Sequence, residues 1–527
     1  MHKSRSLLVS LVALPFLSFS ARAAETKKTI EGNVPADGLD HFFVPFDVPT
    51  GTQEIEIHHE DQSDANILDF GLYDTKGHRG WGGGTSENTI VNASAASRGY
   101  VAGPMEAGTW KVVVGKAKIV EMPGRYKLDI TFRDTVTLAA QTRKAYAEAP
   151  AIRTGRKYYS IDFHVHSQES TDASPTLDQI AKYAVTQGLD AVVVSDHNVT
   201  SQLSYFADTQ AANPNVLLVP GVEYTTYAGH ALGIGATKWV DHKVGQPGVT
   251  IEGAATAFRD MGAIFALAHP ALDIGNACIG CGWKHTLKPE LIGGVEICTG
   301  SIQKEGASFT NAAIDFWQNL VSKGAHIPAI GGSDDHGGGN NSLAKSNIGE
   351  PTTYVLADEL SVPALLKGIR EGRTFVKLRS AKDPAVELDA SIAPTKDTLE
   401  TTAPVVLKFD VKGLTEPMKL RLVKNGTTLR EQDLTADQAV EESVTAPDSN
   451  EDSYRAELRA GNELRVVTSH LFVKKPAPVV PPTTTPPAVT ESEGCSLSPS
   501  SKSISFLGFG GIVIAMAAIV SRLRRRV

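Results

Sequence analysis

Histidines and carboxylates are the residues of this chain best suited to chemistry, and they recur in short groups along its middle. The groups are Asp162-Phe163-His164-Val165-His166, Asp196-His197-Asn198, Glu223 followed by His230, His269-Pro270, and Ser333-Asp334-Asp335-His336. Neutral imidazole and carboxylate are the ligands of zinc, manganese and iron. On an extended strand the two histidines of His-x-His point to the same side, because side chains alternate, so one strand end can supply two ligands to a cluster. Several divalent ions held this way lower the pKa of a bridging water and polarise a phosphoryl or carbonyl oxygen, which is the chemistry of hydrolysis. One histidine at a strand end is more often structural. Recurrence at successive strand ends favours metal. No nucleophile elbow, P-loop or dinucleotide fingerprint is present, so neither a serine nucleophile nor a nucleotide cofactor has support.

The elements that would position these groups run over residues 157–380. The patterning predicts strands at 158–164, 191–195, 216–221, 263–268, 293–298 and 326–332, with helices at 176–188, 251–261 and 311–323. Pro175 is placed to begin the first helix. Short, apolar strands alternating with helices predict a parallel sheet covered on both faces, and the repetition fits a (β/α) barrel. In such a barrel all strand C-termini lie on one face, where active sites are built. His164 and His166 end the first predicted strand, His197 the second, and Glu223 the third with His230 shortly after. His269 ends the fourth, and Asp334 and His336 the last. Asp162 and Asp196 read as groups that orient ligand imidazoles. Asp335, His242, His285 and His326 fall outside the ligand pattern; His326 begins a strand, on the opposite face.

His164-x-His166, Ser195-Asp196-His197-Asn198, Glu223, His230, His269-Pro270 and Ser333-Asp334-x-His336, in this order, resemble the PHP (polymerase and histidinol phosphatase) superfamily. The flanking residues look like its CehA/McbA-type metallohydrolase branch. The resemblance covers residues 158–380 and implies a distorted (β/α)7 barrel with two or three ions of zinc, manganese or iron. It implies that His164, His166, Glu223, His269 and Asp334 hold the more buried ions and that His197, His230 and His336 complete the cluster. Asp172 is the candidate for one more ligand that the family places after His-x-His. It lies one residue further along than the family's pattern, with Ala173 where that pattern has glycine. Asp334 or His197 would move the proton after attack. The superfamily mainly cleaves phosphate esters and the branch includes carbamate hydrolysis, so a phosphoesterase is the first expectation and a carbamate or amide hydrolase the alternative. Arg373, Lys377 and Arg379 are candidate phosphate-binding cations. A surface-displayed binding protein with an inactive barrel is a third reading, against which the complete ligand set weighs.

The 527 residues are too many for one core. Residues 24–140 alternate in strand fashion between turns, and Gly108-Thr109-Trp110-Lys111-Val112 with Gly124-Arg125-Tyr126 resembles the β-sandwich accessory domains of secreted hydrolases. Residues 385–473 predict a second, immunoglobulin-like β-sandwich with a hairpin turn at Asn425-Gly426. The central barrel is thus flanked by a β-sandwich on each side. A net charge of -8 gives no reason to expect nucleic acid as a partner.

Both ends address the chain to the envelope. Lys3 and Arg5, an apolar run at 7–19 and Ala21-Arg22-Ala23 read as a signal peptide over residues 1–23. Residues 474–493 form a Pro/Thr-rich spacer, and residues 494–527 carry Gly494-Cys495, an apolar run at 504–520 and four late arginines. This tail resembles the sorting tails of Gram-negative bacteria, which implies a sorting protease that cuts near the cysteine and attachment to the cell surface. A plain single-span anchor is the alternative, and both predict an exported protein held at an envelope membrane. Cys278-Ile279-Gly280-Cys281 would mean zinc or redox chemistry in a cytosolic chain; in an exported one, a local disulfide stiffening residues 276–285 beside the pocket fits as well.

Overall fold

The computed structural model describes residues 25–275, 278–339, 347–448 and 450–477. The expected signal peptide, the spacer beyond residue 477 and the C-terminal tail lie outside them. Among the described residues no helix is long and apolar enough to cross a membrane. The protein is built from several β-sheets with few helices.

The first eight strands form two four-stranded antiparallel sheets. Their inward residues alternate with outward ones, as in His41–Val48, where Val44, Phe46 and Val48 are buried. Trp110, Leu72, Ile55 and Leu128 fill the space between the sheets. Glu54 is fully buried and accepts hydrogen bonds from the backbone of Thr137 and Leu138, which fixes the chain as it leaves this sandwich.

The central region opens on a long strand, Arg153–Val165, exposed in its first half and wholly buried from Tyr159 onward. Ala191–Val194 and Leu217–Pro220 continue the sheet in parallel, every residue buried, as strands covered on both faces should be. The second central sheet departs from expectation. Its strands are Glu223–Thr226, Gly229–Ile234, Ile264–Leu267, Gly294–Thr299 and Ala329–Gly332, and the first three pair antiparallel. The chain reverses at Tyr227-Ala228-Gly229, where Gly229 has φ +150° and a Cβ would meet the Trp283 ring at 2.6 Å. Single bridges, Val165 to Asp335 and His197 to Glu223, join the two sheets end to end. Strand pairing therefore describes two open sheets with an antiparallel hairpin between them, where the sequence predicts one closed parallel barrel.

Helices cover the outer faces. Leu177–Thr186 starts at a capping box, Thr176 accepting from Gln179 N while the Gln179 side chain returns to Thr176 N, so Thr176 and not Pro175 begins it. Ile251–Asp260 is capped by Thr250. Ser308–Ser322 buries Thr310, Ala313, Ile314, Trp317 and Val321 on one stripe. Trp317 is fully buried and donates to Ile327 O at 2.7 Å, which ties this helix to the start of the last central strand.

The ladder does not stop where the second sandwich was expected to begin. Arg153–Val165 pairs with Thr352–Leu360, that strand with Thr374–Lys377, and that one with Glu463–Thr468. Ala385–Ala390, Val405–Lys412 and Gln438–Val444 form a separate three-stranded sheet that shares a core with it. Asn425 and Gly426, with φ of +51° and +80°, make the expected two-residue turn between Met418–Lys424 and Thr427–Leu434. His326 lies before the strand that begins at Ala329; it sits between Asp397 and Glu451 and stacks on Phe472.

Replacing Trp317 by Ala leaves a cavity and an unpaired Ile327 carbonyl between helix and sheet. The expected cost is about 3–5 kcal/mol, seen as a lower midpoint in urea unfolding followed by tryptophan fluorescence.

Candidate metal centre

Glu223 is fully buried at the start of its strand, its backbone N–H held by Ser195 O at 2.9 Å. Five imidazoles face its carboxylate. His230 Nδ1 and His269 Nε2 lie 2.9 and 3.0 Å from Oε1. His164 Nε2, His166 Nε2 and His197 Nδ1 lie 3.2, 3.3 and 3.0 Å from Oε2. Asp334 joins from the last strand, its Oδ1 3.2 Å from His164 Nε2 and 3.1 Å from His166 Nε2. On the outer side, Asp172 Oδ2 is 3.2 Å from His197 Nε2 and 3.5 Å from His336 Nε2. The nine candidate ligands are therefore neighbours, brought from the ends of six strands and the loop after the first.

The spacing suits metal. His164 Nε2 and His166 Nε2 are 3.1 Å apart and each is 3.1–3.3 Å from Glu223 Oε2 and Asp334 Oδ1. A tetrahedron with ligand bonds of about 2.0 Å has edges of about 3.3 Å. Four sets of His and carboxylate atoms drawn from these residues and Glu296 fall within the span that one ion bridges. His230 Nε2 is buried with no hydrogen-bond partner among the described residues, as a nitrogen meant for a metal would be. The donor set thus fits two or three divalent ions.

Electrostatics show how tightly the groups depend on each other. Burial alone would raise the Glu223 carboxyl, yet His197, His164 and His230 hold it well below the usual range. Burial works against charge on His164 too, and Asp334, Glu223 and Glu296 override it, holding His164 well above an ordinary imidazole. His336, opposed by burial but facing Asp172, is pushed up to about 9.

Backbone geometry at the strand ends is unusual. His269, Asp334 and Asn198 have φ of +29°, +54° and +53°, a region that side chains other than glycine's rarely occupy. Asp162 helps to hold it. Its Oδ1 accepts from His164 N and Ser333 N, and its Oδ2 from Gly349 N at 2.7 Å. Asp196 accepts from Ser167 N and Ser167 Oγ, both at 2.6 Å. Both carboxyls pin backbone, which corrects their reading as partners of imidazole rings; burial pushes each up to about 7. Asp335 stays outside the cluster and accepts from the N–H groups of Gly337, Gly338 and Gly339.

The imidazole-orienting role falls to Glu296, which sequence reasoning missed. Its Oε1 faces His164 Nδ1 at 3.3 Å and its Oε2 accepts from His269 N at 2.7 Å. The available signal was one carboxylate inside the apolar strand Gly294–Thr299. Thr225 Oγ1, 2.7 Å from His197 Nδ1, serves that ring in the same way.

The expected phosphate-binding cations are elsewhere. Arg373 reaches Leu388 O, Lys377 reaches Ala381 O, and Arg379 pairs with Glu463, so all three serve the C-terminal sheets. His242 packs against His41 and Trp81, and His285 bonds Thr226 Oγ1 at 2.8 Å, both apart from the cluster. Cys278 and Cys281 form a disulfide. The Asp172 loop is clamped by the N-terminal sandwich: Arg98 donates to Ala173 O at 2.7 Å and Thr171 O at 2.6 Å, and Thr171 Oγ1 donates to Gly82 O.

Two substitutions probe this support. Glu296→Gln should weaken metal affinity about 10- to 100-fold, measured by competition with a chromogenic chelator. Arg98→Met should lower occupancy of the outermost position beside Asp172 while sparing the ions at Glu223, measured as metal per chain after dialysis.

No family model and no curated protein matches the chain. Among solved structures it is similar to one described as a metal-dependent phosphoesterase of Bifidobacterium adolescentis, at 14% identity over 36% of this chain and 92% of that one, with a TM-score of 0.26. It is also similar to an amidohydrolase of Chromobacterium violaceum, at 17% identity over 34% and 89% of the two chains, with a TM-score of 0.24. At these scores the likenesses carry no weight, and function rests on the site.

Proposed function

We propose that the chain is a metal-dependent hydrolase, first of all a phosphomono- or phosphodiesterase, with the nine residues from His164 to His336 as its metal ligands. The observation that carries the reading is the four-atom set of His164, His166, Glu223 and Asp334, in which the five edges that include a histidine nitrogen, at 3.1–3.3 Å, match those of a metal-binding tetrahedron. When bound, divalent ions of zinc, manganese or iron supply a hydroxide near neutral pH and neutralise charge on the ester. The chain's own residues do the rest. Glu223 spans the cluster, one oxygen toward His230 and His269, the other toward His164, His166 and His197. Glu296 and Thr225 aim the rings. Asp334 and His197 are the two groups proposed to move the proton after attack: Asp334 faces His164 and His166, while His197 faces Glu223 and Asp172 and also lines the adjoining cavity.

The bridges from Val165 to Asp335 and from His197 to Glu223 support reading the two central sheets as a distorted (β/α)7 barrel of the PHP kind. The disulfide supports an oxidising compartment, and with the residue 1–23 signature it favours export. The tail over residues 494–527 then holds the protein at the envelope, as a membrane anchor or after cutting by a sorting protease. The substrate is a small molecule. Carbamate or amide hydrolysis is the second reading, favoured by the lack of any lysine or arginine among the described residues lining the cavity. An inactive binding protein would have no use for so full a ligand set.

The purified ectodomain should contain two or three divalent ions per chain. It should hydrolyse at least one of p-nitrophenyl phosphate, bis-p-nitrophenyl phosphate and a naphthyl carbamate, and the substrate turned over assigns the bond. His164→Ala should lower kcat/KM by about a hundredfold or more. Metal-free protein after reconstitution, or wild-type rates in the variant, would refute the hydrolase.

A further inference from the structure

A cavity of about 550 Å³ lies against the outer edge of the metal cluster. One wall is the cluster itself, through Asp172, His197 and His230. The facing wall comes from the N-terminal sandwich, through Ile67, Asp69 and Trp81. The two walls are closely joined. Tyr227 approaches the sandwich at Gly115, where a Cβ would stand 2.1 Å from the tyrosine oxygen, so only glycine admits it. The Tyr227 hydroxyl then donates to Asp69 Oδ2 at 2.6 Å and holds that carboxylate at the cavity. Strand alternation brings Asp69 there: Leu68 and Phe70, on either side of it, are in the sandwich core.

The lining limits what can enter. Among the described residues it holds no lysine or arginine, while Asp69 and Asp172 are both carboxylates. Away from the cluster, a second anionic group on a substrate would find no lysine or arginine among the described lining residues and would face Asp69. A hydroxyl would find an acceptor in Asp69 and hydroxyl partners in Thr85 and Thr171, while Ile67, Trp81 and Ile279 offer apolar surface to ring carbons. Burial pushes the Asp69 carboxyl up to about 6, which still leaves it an acceptor at neutral pH.

We infer that the N-terminal sandwich builds a substrate subsite in which Asp69 determines specificity, and that it takes an uncharged, hydroxyl-bearing group such as a sugar ring joined to the scissile ester. This rests on the phosphoesterase reading above. It makes the sandwich part of the active site and not only an appendage to it.

The experiment compares kcat/KM for glucose 1-phosphate and p-nitrophenyl phosphate in metal-loaded wild type, Asp69→Asn and Asp69→Ala, with metal content and thermal unfolding measured on each. Losing a hydrogen bond to a charged acceptor is worth about tenfold to a hundredfold. Both variants should therefore lose at least about tenfold on glucose 1-phosphate, stay within about twofold on p-nitrophenyl phosphate, and keep their metal. Asparagine can still accept from Tyr227, so Asp69→Asn guards against a folding defect. Equal effects on both substrates, or none on either, would overturn the subsite and leave the hydrolase standing. If wild type cleaves neither ester, the phosphoesterase reading fails and the inference with it.

Discussion

A single buried carboxylate, Glu223, holds five imidazoles from four strand ends, and most of the central architecture serves to bring those groups together. Burying so many ionisable groups is costly unless each is compensated. Here the compensation is mutual at the centre: Asp334, Glu223 and Glu296 favour charge on His164 and the histidines favour ionised Glu223 and Asp334, while burial prevails at His166 and His230 and lowers both. Divalent ions at the same place would replace protons as the positive charge and satisfy nitrogens that the protein leaves unpaired. The strained φ values at His269, Asp334 and Asn198 are consistent with a site over-determined by its surroundings, above all by Asp162, which grips two strand ends and Gly349 together.

Around this cluster the described residues up to Pro476 form one compact unit. The sheet that carries His164 and His166 continues through Thr352–Leu360 and Thr374–Lys377 into the C-terminal strands, so that domain braces the back of the site. The N-terminal sandwich acts from the front. Arg98 and Gly82 fix the loop of Asp172, and Asp69 and Trp81 face the cavity. The candidate metal ligands and the proposed substrate subsite thus come from different parts of the chain meeting at one opening.

Much of this was legible in the sequence, for physical reasons. Apolar runs of four to six residues with histidine or carboxylate at or just beyond their ends betray buried strands whose polar tips meet, and that grouped eight of the candidate ligands; Asp172 came only from the family resemblance. Asn425-Gly426 is a local signal that tertiary packing did not override, while at the first helix the reading on Pro175 passed over the Thr176–Gln179 capping box one residue later. What escaped was whatever depends on partners distant in sequence. Glu296 looks like one polar residue in an apolar strand until His164 is opposite it. Arg379 looks like a free cation until Glu463 arrives from 84 residues away. Glu223–Thr226 is too short to announce an antiparallel hairpin, and nothing in Asp69 alone says that Tyr227 will reach it.

Anomalous X-ray scattering at the zinc or manganese edge, from crystals of protein loaded with that metal, tests the central claim most directly. The account predicts a strong peak enclosed by His164, His166, Glu223 and Asp334, a second on the His230 and His269 side of Glu223, and loss of both in Glu223→Gln. Crystals of loaded wild-type protein with no anomalous peak within bonding distance of Glu223 would contradict it.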